Sequence, residues 1–315
     1  MHRILFVTDI HGSDRLFLKL MNAAKVYGAE TLIIGGDIAG KTLVPVFQRN
    51  DGYSTEFNGE KRILGSKDEL ERLVKDIRAA GEYAYITTEE EWKSLLKDEK
   101  RLNELFERLI EENIRSWCEI AEERLRPIHA RLIMNTGNDD PPELGKVIES
   151  SGFVEYPNEK VIELDAHHEM ISLGYSNITP WRLPGDLPED EIAARIQNLV
   201  SKTKDIRNAI FNIHVPPYNT HLDVAPKLDA DLKPKLSPGG EPEFVHVGST
   251  AVRQAIERYQ PLAGLHGHIH ESRGYSRIGR THCFNPGSEY SAGVLKGVLI
   301  NLGDDKIVSH IFTSG

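Results

Sequence analysis

The sequence predicts an α/β fold built on parallel strands and interrupted by a largely helical insert. It opens with a short apolar run at 3–7, apolar residues at helical spacing over 16–24, and a second apolar run at 31–34. This β-α-β order implies parallel strands, whose carboxyl ends are the usual site of chemistry in such sheets. The same alternation of strands and helices returns after Pro127.

Residues 41–130 differ in character, and we predict that they form an inserted, cap-like α+β module on a core of residues 1–40 and 131–315. The pairs Asp51-Gly52 and Asn58-Gly59 are typical of hairpin turns between short apolar runs. Ser66 with Glu69 is typical of the capping box that begins a helix. The insert is therefore expected to contain strands first and helices after them.

The second half of this segment predicts long, solvated helices. Of the 66 residues from Lys61 to Arg126, 31 are charged. One face carries apolar residues at helical spacing from Leu102 to Ala121, and the pattern ends before Pro127. A projecting arm, a coiled coil and two consecutive helices all fit this pattern.

The remaining chain is predicted from its periodicity and turn residues. In order, we expect a strand at 130–134, a helix at 141–150, an antiparallel pair over 160–173 with a turn near Asp165, a helix at 189–202, a strand at 209–215 and a helix at 250–259. Residues 221–246 show little periodicity, and loops of this length are usually functional lids or disordered linkers.

Composition and net charge limit the binding partners and the cellular location that we expect. The formal net charge of -10 repels polyanions, so the sequence disfavours nucleic acid as a partner. Cys118 and Cys283 are too few for a disulfide framework, and the short apolar run at the amino terminus does not resemble a signal peptide. No stretch approaches the roughly 20 apolar residues of a membrane span. We therefore expect a cytoplasmic protein without a membrane partner.

Five short elements carry side chains that can bind metals, and each follows a predicted strand. Asp-x-His and Gly-Asp come first, followed by Gly-Asn, a single histidine and Gly-His-x-His. Two residues apart at a strand end, the side chains of the first and last elements are expected to point the same way. The candidate ligands are Asp9, His11, Asp37, Asn138, His214, His268 and His270.

Each element alone is weak, because short motifs recur by chance and strand-end histidines or Asn turns are usually structural. Their conjunction at the ends of five predicted strands is what indicates a metal site. Mixed imidazole and carboxylate ligands suit Mn, Fe, Zn or Ni, of which we favour Mn. Two such ions could lower the pKa of a shared water and stabilise charge on a phosphoryl group.

The ordered set of motifs resembles the calcineurin-like metallophosphoesterase family, and the resemblance spans residues 9–270 apart from the insert. It implies a four-layer α-β-β-α sandwich of two mixed sheets and two divalent metal ions. It also implies that Asp9, His11 and His270 hold one ion and that Asn138, His214 and His268 hold the other. Asp37 would bridge the two ions, and the nucleophile would be a bridging hydroxide.

The sequence departs from the family pattern at two places. Family phosphatases commonly have a histidine after the Asn, where it protonates the leaving oxygen, whereas this chain has Asp139 and then Asp140. Nearby cations lower a carboxyl pKa, so we expect Asp139 to orient a ligand or the substrate rather than to donate a proton. The residues after Asp37 also lack the Asp and Arg of Ser/Thr protein phosphatases, which disfavours a phosphoprotein substrate.

The sequence therefore predicts a hydrolase of phosphodiesters or phosphomonoesters, with a small molecule or nucleotide favoured as the substrate. Two alternatives remain. A metal-bound scaffold without turnover is one, because fold does not guarantee function. A nuclease is the other, although the lysines at 227, 233 and 235 are too few to form a basic stripe.

Overall fold

The structure is a computed structural model that describes residues 1–315, in which strands and helices alternate. The strands are β1 (His2–Val7), β2 (Thr31–Ile34), β3 (Thr42–Arg49), β4 (Gly52–Phe57), β5 (Glu60–Leu64), β6 (Glu82–Thr87), β7 (Arg131–Met134), β8 (Val161–Glu163), β9 (Glu169–Leu173), β10 (Ser176–Asn177), β11 (Asp186–Leu187), β12 (Ile210–Ile213), β13 (Val224–Pro226), β14 (Phe244–His246), β15 (Ala263–Leu265), β16 (Gly274–Ile278), β17 (Thr281–Asn285), β18 (Lys296–Leu302) and β19 (Ile307–Ser314). The helices are α1 (Asp14–Tyr27), α2 (Lys67–Ala79), α3 (Glu89–Leu95), α4 (Glu99–Leu125), α5 (Leu144–Glu149), α6 (Glu189–Val200) and α7 (Thr250–Tyr259).

The first large sheet has five strands in the order β19-β18-β1-β2-β7. Strands β1, β2 and β7 are parallel, whereas β18 and β19 run antiparallel to their neighbours. The predicted β-α-β opening is confirmed, with α1 as the connecting helix. Ser13 begins this helix by accepting a hydrogen bond from the backbone N–H of Leu16, and Gly28 ends it in the left-handed conformation.

The second large sheet has six strands in the order β16-β17-β15-β12-β9-β8. Strands β9, β12, β15 and β17 are parallel, and β8 and β16 pair antiparallel at the two edges. The predicted antiparallel pair with its turn near Asp165 corresponds to β8 and β9. Both large sheets are therefore mixed.

The two large sheets share one buried apolar cluster, which combines Phe6 and Ile133 of the first sheet with Met170, Ile210 and Phe284 of the second. A second cluster joins the first sheet to α1, α4 and α5, and a third joins the other sheet to α6 and α7. Each fully buried side chain of this kind contributes roughly 1.5–3 kcal/mol. The fold is a mixed α/β fold, and its core holds the carboxyl ends of the parallel strands in place.

Residues 41–130 begin with a smaller sheet in the order β5-β4-β3-β6. Both predicted hairpins are present, although the first turns at Asn50-Asp51 rather than Asp51-Gly52, because Gly52 pairs with Arg49. The Asn58-Gly59 turn has φ values of 55° and 73°, as a two-residue hairpin requires. The predicted capping box is also confirmed, because the side chains of Ser66 and Glu69 exchange hydrogen bonds with each other's backbone.

Of the three alternatives for the charged region, the structure contains two consecutive helices, α3 and α4. The apolar face of α4 packs into the same cluster as α1, and the Trp117 ring stacks on Phe17 with centroids 4.5 Å apart. The helix is thus part of the main core, and the division into a core and an insert at residues 41 and 130 stays a prediction. Neither α4, at 27 residues the longest helix, nor any other helix is long and apolar enough to cross a membrane.

Candidate metal centre

The seven predicted ligands meet where the carboxyl ends of the two large sheets adjoin. Asp9 and His11 follow β1, Asp37 follows β2, Asn138 follows β7, His214 follows β12, and His268 and His270 follow β15. The strands they follow are parallel within each sheet, so their carboxyl ends lie along one edge. Five of the seven residues are buried, whereas His268 and His270 are partly exposed, the side chain of His270 by 29%.

Six of these residues form two adjoining groups, and in each group the potential ligand atoms lie within 4.8 Å of one another. The first group is Asp9, His11 and His270, and the second is Asp37, His214 and His268. In the first group, Nε2 of His270 lies 3.3 Å from Oδ1 of Asp9. In the second, Nε2 of His214 lies 3.4 Å from Oδ1 of Asp37.

The two groups lie against each other. Nε2 of His11 is 4.0 Å from Oδ2 of Asp37, and Nε2 of His214 is 3.9 Å from Oδ1 of Asp9. Each carboxylate therefore faces imidazoles of both groups. This is the arrangement that a carboxylate shared between two cations needs.

Asn138, an amide ligand candidate, lies beside the second group with its side chain fixed in orientation. Its Nδ2 donates to Oδ1 of Asp186 at 2.9 Å, while its Oδ1 is buried without a hydrogen-bond partner. Both ring nitrogens of His214 are also buried and unpartnered. Buried polar atoms are nearly always satisfied, so the unpartnered amide oxygen of Asn138 and one ring nitrogen of a neutral His214 fit a bound divalent cation.

Four of the predicted ligands have left-handed backbone conformations, with φ values of 52° at Asp9, 41° at His11, 49° at Asp37 and 66° at His268. Asp9 and His11 point toward the same group, as expected, but left-handed backbone beyond the end of β1, rather than alternation along the strand, brings their side chains together. Such conformations are uncommon in non-glycine residues and often mark functional sites.

Two glycines allow the loops to approach this closely. A Cβ atom on Gly36 would lie 2.5 Å from Nδ1 of His214, and one on Gly137 would lie 2.0 Å from Oδ1 of Asp37. Both distances are well below van der Waals contact. The glycines of the Gly-Asp and Gly-Asn elements are thus required by packing around the candidate ligands.

The buried charges shift the pKa values of the group. Burial would raise the pKa of Asp9, but its contacts with His270 and His214 lower it to about 2. Burial would lower the pKa of His214, but Asp37 and Asp9 raise it to about 9. Burial lowers the pKa of His11 to about 4, so its neutral ring can bind a cation.

Asp140 is a structural residue that links the loops of the site. Its buried carboxylate accepts hydrogen bonds from the backbone N–H groups of Ile38, Ala39 and Gly137 at 3.0, 2.7 and 2.7 Å. Burial, together with the charge of Asp37, raises its pKa to about 7. Because both oxygens face the backbone, Asp140 is not placed to donate a proton to a substrate.

Asp139, the predicted catalytic residue, lies at the mouth of the site. Its backbone N–H donates to Oδ1 of Asp37 at 3.2 Å, and its carboxylate is ion-paired with Lys41. Asp139 also belongs to a third group of potential ligand atoms, with His11 and Asp37. Lys41 was missed by sequence reasoning, since a lone lysine after a glycine carries no motif.

Three other residues around the site were also not assigned a role from the sequence. Asp186 orients Asn138, Oγ of Ser176 lies 3.1 Å from Nε2 of His268, and the Tyr290 ring lies 4.5 Å from that of His11. His266, which lies just before the Gly-His-x-His element, hydrogen-bonds the carbonyl of Ile213 at 2.8 Å. Its bond joins the ends of β15 and β12, which carry the histidine ligands.

A polar cleft of about 340 Å³ opens beside His270. No hydrophobic residue lines it, and the lining residues are His270, Glu271, Arg273, Pro286, Gly287, Ser288, Glu289 and Lys296. The cleft meets His270, one of the two candidate ligands that are partly exposed.

The chain is similar in sequence to a known protein over about half of its length. The chain is 33% identical over 152 residues to the uncharacterized protein MJ1162 of Methanocaldococcus jannaschii, a match that covers 48% of the chain and 61% of that relative. The matched region thus spans less than two thirds of the relative. A scan against known protein families finds no matching family.

The chain is also similar to solved structures. TT1561 of Thermus thermophilus superposes over all of this chain and 98% of its own, with a TM-score of 0.55 and 14% identity. YfcE, a phosphoesterase from E. coli, matches over 98% of both chains with a TM-score of 0.34 and 13% identity. At 14% identity, the likeness to TT1561 concerns the fold alone. The fold and the site together define a mixed α/β protein with a candidate metal centre.

Proposed function

We propose that this chain is a metal-dependent phosphoester hydrolase that acts on a small-molecule or nucleotide phosphodiester or phosphomonoester. One observation carries the proposal. Side chains from four separate segments converge into two adjoining groups, and within each group the potential ligand atoms lie within 4.8 Å of one another. Four of those ligands hold uncommon backbone conformations, which a purely structural cluster does not need.

Two divalent ions fit this donor set. Asp9, His11 and His270 would hold one ion, Asn138, His214 and His268 the other, and Asp37 would be shared. Mn is our first choice, with Fe, Zn or Ni as alternatives, because imidazole and carboxylate ligands accept all four. When bound, such ions supply a hydroxide near neutral pH and neutralise charge on the phosphoryl oxygens.

The chain's own residues would keep these ligands in place. Asp186 fixes the amide of Asn138 so that its oxygen faces the site, and Asp140 holds the loops that carry Asp37 and Asn138. We propose that Asp139 orients a ligand or the substrate rather than donating a proton, which its ion pair with Lys41 supports. If Asp139→Asn abolishes turnover of esters with poor leaving groups but spares activated aryl esters, Asp139 is instead the general acid.

The decisive experiment combines elemental analysis with a substrate panel. Purified protein is assayed with Mn against p-nitrophenyl phosphate, bis-p-nitrophenyl phosphate, cyclic nucleotides and single-stranded DNA. We expect about two metal ions per chain and turnover of at least one small ester. Asp37→Asn should abolish turnover and lower the metal content, whereas Asp305→Asn, at an exposed turn, should change neither. Bound metal without turnover would indicate the scaffold, and preferred cleavage of DNA the nuclease.

We further propose that the sheets and helices form a four-layer α-β-β-α sandwich and that segment 41–130 shapes access to the site. The bond from the backbone N–H of Gly40 to Oη of Tyr83, 2.9 Å long, supports the second point because it ties the segment to the loop of Asp37. Removing the β4–β5 hairpin should then change the ratio of diester to monoester turnover. An unchanged ratio would refute this role. A cytoplasmic location is also proposed, supported by the free, buried thiols of Cys118 and Cys283.

A further inference from the structure

Lys41 places a cation at the mouth of the candidate metal centre. Its Nζ is ion-paired with Oδ2 of Asp139, whose backbone N–H bonds the carboxylate of Asp37. The Lys41 side chain is 47% exposed, whereas that of Asp139 is 19% exposed. The ammonium group is thus held from the protein side and open to solvent on the other.

The backbone that leads to Lys41 is unusually well fixed for a loop. The N–H groups of Ile38 and Ala39 both donate to the Asp140 carboxylate, and the next N–H, that of Gly40, donates to Oη of Tyr83. The carbonyl of Ile38 also accepts a bond from the N–H of Gly12 at 2.7 Å. A side chain on such a fixed base loses less conformational entropy when a ligand binds.

The negative charge of the residues around the site indicates a role for the Lys41 ammonium group. Asp9, Asp37 and Asp140 are all buried there, in a chain whose formal net charge is -10. The two divalent ions proposed for the site would offset this charge, and a fixed ammonium beside them adds further attraction for an anionic substrate. Among the lysines and arginines, Lys41 alone forms an ion pair with a carboxylate of the site, since the site's other ion pairs involve histidines.

An ammonium group has three N–H donors, and Asp139 occupies one side of it. Donors on the exposed side can therefore bind an oxygen anion that enters the site. Phosphate oxygens are strong acceptors, and their bonds with charged donors are about twice as strong as neutral ones.

We propose that Lys41 binds a non-bridging oxygen of the substrate's phosphoryl group and that Asp139 is the positioning residue that holds its ammonium. This deepens the hydrolase proposal and, for its catalytic part, rests on it. The ligand class is a phosphate monoanion or dianion.

Inorganic phosphate is the probe that tests this assignment, by equilibrium binding to Mn-loaded protein and as a competitive inhibitor of ester hydrolysis. Lys41→Met should weaken phosphate binding about 10- to 100-fold, the range for a lost hydrogen bond to a charged group. Lys41→Arg should restore most of the affinity, and the metal content should stay that of the wild type. Lys160→Met is the matched control, because Lys160 is also 47% exposed and paired with a carboxylate, that of Glu149.

The role of Asp139 follows from a double-variant cycle. Asp139→Asn should weaken phosphate binding less than Lys41→Met does, and the double variant should bind phosphate no worse than Lys41→Met. Loss of bound metal in Asp139→Asn would instead make Asp139 a metal ligand and overturn its positioning role.

Binding and turnover fail separately in this design. If wild-type protein binds phosphate through Lys41 but hydrolyses no ester, the anion site stands and the hydrolase proposal falls. If wild-type protein hydrolyses esters but Lys41→Met binds phosphate within twofold of it, the assignment of Lys41 is wrong. Wild-type protein that does not bind phosphate at all also overturns the assignment.

Discussion

Replacing Trp117 by alanine should destabilise the whole core, although the residue lies within the segment predicted as an insert. Its side chain is fully buried in α4, stacks on Phe17 with an interplanar angle of 3°, and donates through Nε1 to Oδ1 of Asp14 at 2.7 Å. The other oxygen of Asp14 is bonded to Nε of Arg78 at 2.8 Å, so α1, α2 and α4 meet at this point.

The cost follows from the lost contacts. Large-to-small substitution of a buried tryptophan costs about 3–5 kcal/mol through lost burial and the cavity left behind. An unfolding entropy of about 2.1 cal/mol/K per residue gives roughly 0.66 kcal/mol/K for 315 residues, so about 4 kcal/mol lowers the Tm by about 6 °C. Trp117→Phe keeps the stack but loses the bond to Asp14, and should cost about 1.5–3 kcal/mol.

Urea unfolding followed by circular dichroism is the assay. Trp117→Ala should lower the midpoint of a single transition without changing its slope, whereas Trp181→Ala, at a side chain 57% exposed, should shift the free energy by less than about 0.5 kcal/mol. Two separate transitions in the variant, with the later one at the wild-type midpoint, would refute the reasoning. Segment 41–130 would then unfold as an independent insert.

Two further predictions concern the site itself. Gly36→Ala should lower the metal content and any turnover, because its Cβ would lie 2.5 Å from Nδ1 of His214. Gly239→Ala, whose Cβ meets only Oγ of Ser237 at 3.8 Å, should be neutral, and equal metal content in the two would contradict this. In metal-free protein the pKa of Asp140 is raised to about 7, whereas its pKa in the unfolded chain is near 4. The protonated carboxyl therefore contributes stability that is fully present below pH 4 and is lost as the pH rises through 7. In chelator, the free energy of unfolding of the wild type should fall by roughly 2–3 kcal/mol between pH 5 and 8 relative to that of Asp140→Asn. If the two free energies depend on pH in the same way, the pKa of Asp140 is not raised.

The candidate metal ligands could be found from the sequence because each lies shortly after the end of a parallel strand. Once strands are parallel, their carboxyl ends share an edge, so a linear order such as Asp9, Asp37 and Asn138 becomes a spatial cluster without further information. The assignment of ions to particular residues remains a prediction. The helical periodicity of α4 likewise predicted a buried face, but not what the face would contact.

The supporting residues could not be found in this way because their partners are remote in sequence. Asp140 bonds the N–H of Ile38, 102 residues away, and Asp186 bonds Asn138, 48 residues away. Nothing local distinguishes either carboxylate from a turn residue. The left-handed backbone at Asp9 was also beyond the sequence, since aspartate and histidine take that conformation only where the surrounding fold imposes it.

This left-handed backbone lowers the stability of the fold at the same residues whose side chains are proposed to bind metal. At Asp9, His11, Asp37 and His268, glycine would relieve local strain of order 1–3 kcal/mol per position. A library of variants screened in chelator for heat resistance alone should therefore be enriched in glycine at these four positions. The selected variants should be more stable and inactive. Adding metal during the screen should reverse that enrichment, since cation binding then stabilises the variants that keep the original side chains.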